Sequence, residues 1–306
     1  MGLYLGIDTS NYTTSFALCD DEKVILNEKK LLEVKEGERG LRQSDAVFNH
    51  IINIPSVVER IGAQKLTAIG VSTKPRDVEG SYMPCFKVGE AVAKTLSQIY
   101  GVPLYEFSHQ AGHVAAAAYS AGRLDLLEKS FNAFHVSGGT TEVLSCNSDG
   151  EKLNISTIGN TLDLNAGQAI DRTGVLLGLK FPCGPMLEQL ALDGNVIEKP
   201  KVCVNGLTCN LSGLENKVRS FIDKGHSKND IAFYALSFVE ETLIKLTENL
   251  RKESSLPIIY SGGVMSNSMI KKSLSRFENT YFAEKAFSAD NAAGIALLAM
   301  REHTKQ

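Results

Sequence analysis

This sequence of 306 residues predicts an α/β fold built twice over, and three observations carry the prediction. First, "IDTSNYTTSFALCDDEKVIL" (residues 7–26) and "HVSGGTTEVLSCNSDGEKLNI" (135–155) share one plan: an apolar strand, a small-residue turn with paired threonines, a second strand, a charged turn and a third strand. Thr13-Thr14 and Thr140-Thr141 fall in register, as do Cys19 and Cys146, which is the mark of an internal duplication. Second, strand-length apolar runs alternate with segments of helical period, the pattern of layered α/β proteins. Third, the strands end in turns rich in glycine, serine and threonine, where the backbone needs freedom from Cβ crowding.

Each copy of the hairpin is followed by a helical segment, roughly Asp45 to Ile61 and Asp163 to Leu177. After the first come "LTAIGVST" as a strand, Gly89 to Tyr100 as a helix, "VPLYEF" as a strand, and an alanine-rich helix opening at His109. After the second come a long helix from Asp230 to Arg251, "LPIIYSGG" as a buried strand, a helix from Ser266 to Leu274, "ENTYFAE" as a strand, and a last helix from Asn291 to Arg301. The expected division is two domains, 1–125 with the histidine helix and 126–306 with the glycine loops. Two such domains facing one another across a phosphate chain resemble the actin, hexokinase and heat-shock ATPase plan, with a nucleotide cleft between them.

The composition, 43% hydrophobic and 22% charged, is that of a globular protein with an ample core. No apolar run reaches the ~18 residues of a membrane helix, and "MGLYLGIDTS" lacks the basic start and cleavage site of a signal peptide, so a cytoplasmic protein without a membrane partner is expected. Six cysteines lie scattered without Cys-x-x-Cys spacing, which argues for reduced thiols over a zinc ribbon or a disulfide framework. A net charge of −3 does not announce nucleic acid. Local basic clusters (Lys29, Lys30, Arg39, Arg42; Lys271, Lys272, Arg276) read first as solvated helix faces.

Two kinds of segment carry chemistry. In "SGGTT", Gly138 and Gly139 let backbone N–H groups meet an anion, and Ser137, Thr140 and Thr141 add hydroxyl donors. "SGGVMSN" repeats the device with Gly262 and Gly263 between a strand and a helix, whose amino terminus favours negative charge. The other segment is "HQAGHVAAAAYSAG", in which His109 and His113 stack on one helix face at i and i+4 and can address a single ion. Gln110 stands where a zinc protease of the His-Glu-x-x-His type needs its glutamate base, so a protease reading fails and a third ligand must come from elsewhere. By spacing alone the pair reads either as structural or as two ligands of a metal.

In order along the chain, "LGIDTS", "SHQAGHVAAA", "VSGGTTEVL", "AGQAIDRTGVLLGLKFPCGP", "NLSGLENKV", "IYSGGVMSN" and "SADNAAGIAL" resemble the TsaD/YgjD family, the tRNA threonylcarbamoyladenosine transferases once catalogued as glycoproteases. The resemblance runs nearly end to end. It implies one divalent metal ion, iron or zinc, held by His109, His113 and Asp290. It also implies ATP or an adenylate on the Ser137-Gly138-Gly139 turn, with ribose and base meeting Asp171, Gly184, Glu188 and Asn267. The implied reaction transfers a threonylcarbamoyl group from an adenylate to the adenosine next to the tRNA anticodon. Implied partners are tRNA and proteins of the threonylcarbamoylation pathway, or a family homologue in a dimer.

Several acids of the family pattern are missing. Asn11-Tyr12-Thr13 stands where the family has Cys-Asp-Glu, Ala111 where it has glutamate, and Asp163-Leu164-Asn165-Ala166-Gly167-Gln168 keeps one carboxylate of three. Lys74-Pro75-Arg76 replaces Gly-Pro-Gly, and Thr140 a histidine. The remaining general-base candidate is therefore Asp163. This thinning of acids suits a divergent paralogue, and it keeps a second expectation open: a regulatory, non-catalytic chain that binds nucleotide and partner subunits.

Overall fold

The structure is a computed structural model that describes residues 2–10, 12–33, 41–62, 64–148, 152–288 and 292–305. In chain order its elements are β1 (Tyr4–Ser10), β2 (Thr13–Cys19), β3 (Val24–Leu31), α1 (Gln43–Ile61), β4 (Ala68–Lys74), α2 (Phe86–Tyr100), β5 (Leu104–Ser108) and α3 (His109–Ser120). The second series is β6 (Phe131–Val136), β7 (Thr141–Ser148), β8 (Leu153–Asn160), α4 (Ala166–Leu176), α5 (Gly184–Ala191), β9 (Cys203–Asn205), β10 (Thr208–Asn210), α6 (Gly213–Asp223), α7 (Lys228–Glu253), β11 (Ile258–Ser261), α8 (Ser268–Leu274), β12 (Thr280–Phe282) and α9 (Ala293–Thr304).

The duplication is real at the level of topology. One five-stranded sheet runs β3-β2-β1-β4-β5 and the other β12-β11-β6-β7-β8, the same order read from opposite ends. In each, the leading strand pairs antiparallel with its hairpin partner and parallel with the strand that returns after a helix. Cys19 lies opposite Tyr4, the first residue of β1, and Cys146 opposite Phe131, the first residue of β6. The thiols of all six cysteines are free, and five of them are buried.

Two compact units result, residues 1–128 with 148–155 and 286–306, and residues 129–147 with 156–285. The first boundary falls three residues after the expected one, but the carboxyl-terminal segment, expected in the second domain, belongs to the first unit. Sterics explain the return. A Cβ on Gly6 of β1 would lie 2.4 Å from the carbonyl oxygen of Ala292, and one on Gly70 of β4 would lie 2.7 Å from that of Ile295. The two glycines let the backbone of α9 lie directly on the sheet, and Ala292, Ala293, Ala296 and Leu297 bury there against Tyr4, Ala17, Cys19 and Ala68. A larger apolar set, including Ile7, Phe16, Leu18, Ile69 and Val71 with Val57 and Ile61 of α1 and Ala93 of α2, packs the sheet's helical cover.

In the second unit Phe134, Val136, Val143, Ile258 and Tyr260 of the sheet share one core with Tyr234, Leu236, Val239, Leu243 and Leu246 of α7. The Tyr260 hydroxyl is paired with Thr247 Oγ1 at 2.7 Å. Expected helices and strands match within a few residues. The expected helix at Asp163 instead starts at Ala166, because the Asp163 carboxylate accepts from the Leu164 and Leu211 amides and holds the chain out of the helix. No helix of the described residues is long and apolar enough to cross a membrane.

Candidate functional site

In the first unit, α3 is started by Ser108, whose hydroxyl accepts from the Ala111 amide at 3.2 Å, as an N-cap should. The same hydroxyl donates to Asp77 at 2.9 Å, and Asp77 is paired with Lys74 at 2.9 Å. The positive charge of Lys74, where the family has glycine, is thereby offset by a neighbour three residues on. From this anchored start His109 and His113 project side by side, their ring centroids 4.4 Å apart in an edge-on arrangement.

His109 Nδ1 lies 2.7 Å from Oδ2 of Asp8, a carboxylate with no solvent exposure at all. A carboxylate only accepts, so Nδ1 carries the proton of that bond. Asp290, expected as the third metal ligand, lies outside the described residues, as do Asn11 and Arg39. Among the described residues no three His, Cys, Asp or Glu side chains gather as a metal site. What is present suits an iron or zinc ion nevertheless: two imidazoles one helical turn apart, one of them hydrogen-bonded at Nδ1 to a buried carboxylate. α9 opens three residues after Asp290 and crosses α3 at Gly112, next to His113, where a Cβ on Gly294 would lie 1.8 Å from the Gly112 carbonyl oxygen.

The second unit contains a cavity of about 420 Å³. It is reached from three of the quoted motifs (Gly138; Gly167, Ile170, Asp171, Gly184 and Pro185; Gly263, Ser266 and Asn267) and from Glu188, just past the second. Of the ten residues expected to bind nucleotide, six line it: Gly138, Asp171, Gly184, Glu188, Gly263 and Asn267. Ser137, Gly139, Thr140 and Gly262 do not. Ser137 is occupied in shaping the turn, its hydroxyl accepting from the Gly139 and Thr140 amides at 3.3 and 3.1 Å. Gly262, at φ +99°, lets β11 pass close to β6, since a Cβ there would lie 2.2 Å from the Val136 carbonyl oxygen. Gly138 and Gly139 would meet nothing with a Cβ added, so that side of the turn is open.

The polar groups of the cavity are held from outside it. Burial raises the Asp171 carboxyl above its ordinary range, and the Cys183 amide, donating to Oδ1 at 2.8 Å, partly offsets that. Glu188 Oε1 accepts from the amide and hydroxyl of Ser268 at 2.7 and 2.5 Å. Asn267 caps α8, its Oδ1 accepting from the Ile270 amide at 3.1 Å. Sequence reasoning missed Lys285, a cation on the cavity wall that no motif singles out, and Gly167, which sat inside a quoted motif without a role. Gly167 admits the Ser137 turn: a Cβ on it would lie 2.6 Å from the Gly138 nitrogen.

Asp163 has a different setting from that of a free base. Its carboxylate accepts from the amides of Leu164 (2.6 Å), Leu211 (2.8 Å) and Ser212 (3.2 Å) and from the Ser212 hydroxyl (2.6 Å). Burial works to raise its pKa, but these donors prevail and lower it to about 2.

Solved structures share this architecture. They include component A of the (R)-2-hydroxyglutaryl-CoA dehydratase of Acidaminococcus fermentans (TM-score 0.58, 17% identity, covering 99% of this chain and 100% of that one). Full-length HypF in its phosphate- and nucleotide-bound form gives 0.60 at 14% identity, over 99% of this chain and 55% of that one. A ROK family glucokinase of Streptomyces griseus, in complex with glucose and AMPPNP, gives 0.51 at 14%, over 97% and 99%. Such likeness defines the fold, that of the actin-like ATPases. Within that class, residues 25–297 match the TsaD family, tRNA N6-adenosine threonylcarbamoyltransferase, and the chain belongs to this family. A tRNA N6-adenosine threonylcarbamoyltransferase of Thermosipho africanus is 30% identical over 99% of this chain and 95% of its own. A "Probable bifunctional tRNA threonylcarbamoyladenosine biosynthesis protein" of Thermoplasma volcanium is 25% identical over 96% of this chain, which spans 55% of that protein's length.

Proposed function

We propose that this chain transfers a threonylcarbamoyl group from its adenylate to the adenosine beside the tRNA anticodon, working with protein partners of that pathway. Family membership supplies the reaction, and the observation that carries it to this molecule is the convergence of three sequence-distant motifs on one cavity. In this reading the adenylate lies in that cavity. The turn at Gly138 meets its phosphate, and Asp171 Oδ2 and Glu188 Oε2 accept from ribose hydroxyls, their other oxygens being held by Cys183 and Ser268.

His109, His113 and Asp290 would hold the metal ion, which supplies Lewis acidity toward the carbamoyl carbonyl. The adenosine amine forms the new N–C bond as the C–O bond to phosphate breaks, AMP departs with the electron pair, and the amine proton passes to solvent. An unpaired loop presents that amine where a helical stem would bury it. Asp163 serves this reading as a clamp that ties the loop before α4 to the "NLSG" turn before α6, not as the base.

The test is transfer of labelled threonylcarbamoyl from its adenylate to unmodified tRNA, with partner proteins present and a family enzyme as positive control. Label is expected on tRNA, lost in the His109→Ala, His113→Ala double variant, and reduced less than tenfold in Asp163→Asn. A drop of 10²-fold or more in Asp163→Asn would return the base role to that residue. Label that stays on the adenylate while the control works would sink the transferase reading and favour a non-catalytic partner.

A further inference from the structure

The buried carboxylate of Asp8 is explained by neither the core nor the nucleotide cavity. β1 is the central strand of its sheet, flanked by β2 and β4, and every residue from Tyr4 to Ser10 is buried. A charge at such a place is costly unless its acceptor sites are filled. They are filled in a directed way: the Ser10 amide donates to Oδ1 at 2.8 Å, and His109, 101 positions along the chain, donates from Nδ1 to Oδ2 at 2.7 Å. The backbone under that ring is fixed too, by the Ser108 cap and its tie to Asp77.

We propose that Asp8 is a positioning residue for the metal centre: by accepting the Nδ1 proton of His109 it sets the ring's rotation and leaves Nε2 as its ligating atom. This rests on the reading of His109 and His113 as metal ligands. A ring that can donate at either nitrogen spends part of its time with the lone pair facing Asp8, where no ion can reach it. The carboxylate removes that state and raises the basicity of the ligating nitrogen, an effect for which second-shell partners of metal-bound histidine typically account for about 10–100-fold in metal affinity. His113 shares the ring-to-ring contact but has no part in the Asp8 bond, so the two histidines are separable in experiment.

The measurement is nitrogen NMR of the histidine side chains in the metal-free full-length chain, with His109→Gln to assign the signal, alongside zinc affinity by chelator competition. Wild-type His109 is expected as the Nδ1-protonated tautomer. Asp8→Asn, nearly isosteric, presents an amide that donates toward Nδ1, and the ring is expected to reverse to Nε2-protonated with zinc affinity falling about 10–100-fold. His113→Ala is expected to weaken zinc while the His109 tautomer stays as in wild type.

A tautomer and zinc affinity unchanged in Asp8→Asn would overturn the assignment. If that variant does not fold, the wild-type spectrum still decides, because an Nε2-protonated His109 overturns it with no variant needed. A wild-type chain that shows the expected tautomer and takes up neither zinc nor iron(II) would instead overturn the metal reading, and with it the role of the Asp8 bond.

Discussion

His50 shows how far a single side chain can depart from its ordinary chemistry when it leaves water. It sits on α1 with no exposed surface, its Nδ1 paired with Thr14 Oγ1 at 2.8 Å and its Nε2 without a partner among the described residues. Burial lowers its pKa to about 4, against the pull of Asp8 and the Ser10 backbone. The unfolded chain therefore takes up this proton first as pH falls. The stabilising preference for neutral His50 is complete above about pH 6.5 and is lost progressively toward pH 4, a decline on the order of 3 kcal/mol. Urea unfolding at pH 7 and pH 4.5 should show that decline in the wild type and a much flatter dependence in His50→Asn; parallel dependences in the two proteins would contradict it. Asp163 departs in the opposite sense, its surrounding donors keeping it charged where an ordinary carboxyl has already titrated.

At the scale of elements, the crossing of α3 and α9 decides where the histidine pair sits relative to the chain's end. Gly112 and Gly294 are both helical, and both cost helix propensity, yet their neighbours differ. A Cβ on Gly294 would meet the Gly112 carbonyl oxygen at 1.8 Å, whereas a Cβ on Gly112 would first meet Ile295 Cδ1 at 2.8 Å, the far end of a side chain that can turn. Gly294→Ala is therefore expected to destabilise by about 1–3 kcal/mol and Gly112→Ala by much less, some of the strain being offset by alanine's propensity. Thermal melts of the two variants test the ranking; equal shifts would mean that the helices part without cost. The same logic accounts for Gly6 and Gly70, whose missing side chains let α9 rest on the sheet.

For the whole molecule, the duplicated topology hides an asymmetry: the chain begins and ends in the first unit. Residues from Ala293 to Ala299 are all buried there, so a chain ending at Lys285 removes a wall of that core and leaves the second unit's own core untouched. Hydrogen exchange of this truncation should show lost protection in β1 and β4 and retained protection in β6, β7 and β11. Retained protection in both sheets would mean that α9 is dispensable for the first unit.

The sequence by itself determined the duplication, the α/β class, the main strands and helices and the family, because these rest on local period, on turn chemistry and on motifs of consecutive residues. It also displayed six of the cavity-lining residues, since glycine loops and acids next to helix starts are written in short stretches. Parts of the record were legible and passed over: α6 buries Leu214, Val218 and Phe221 at helical spacing. What only the tertiary structure decided is who meets whom across distance. Asp163 reads in the sequence as a solitary acid and becomes a clamp when Leu211 and Ser212 arrive from 48 and 49 positions away. Asp8 reads as a strand residue and becomes the partner of His109 when β1 and α3 are packed. The physical reason is the same in both cases: a carboxylate's role is set by the donors that surround it in space, and residue order constrains those donors only near in the chain.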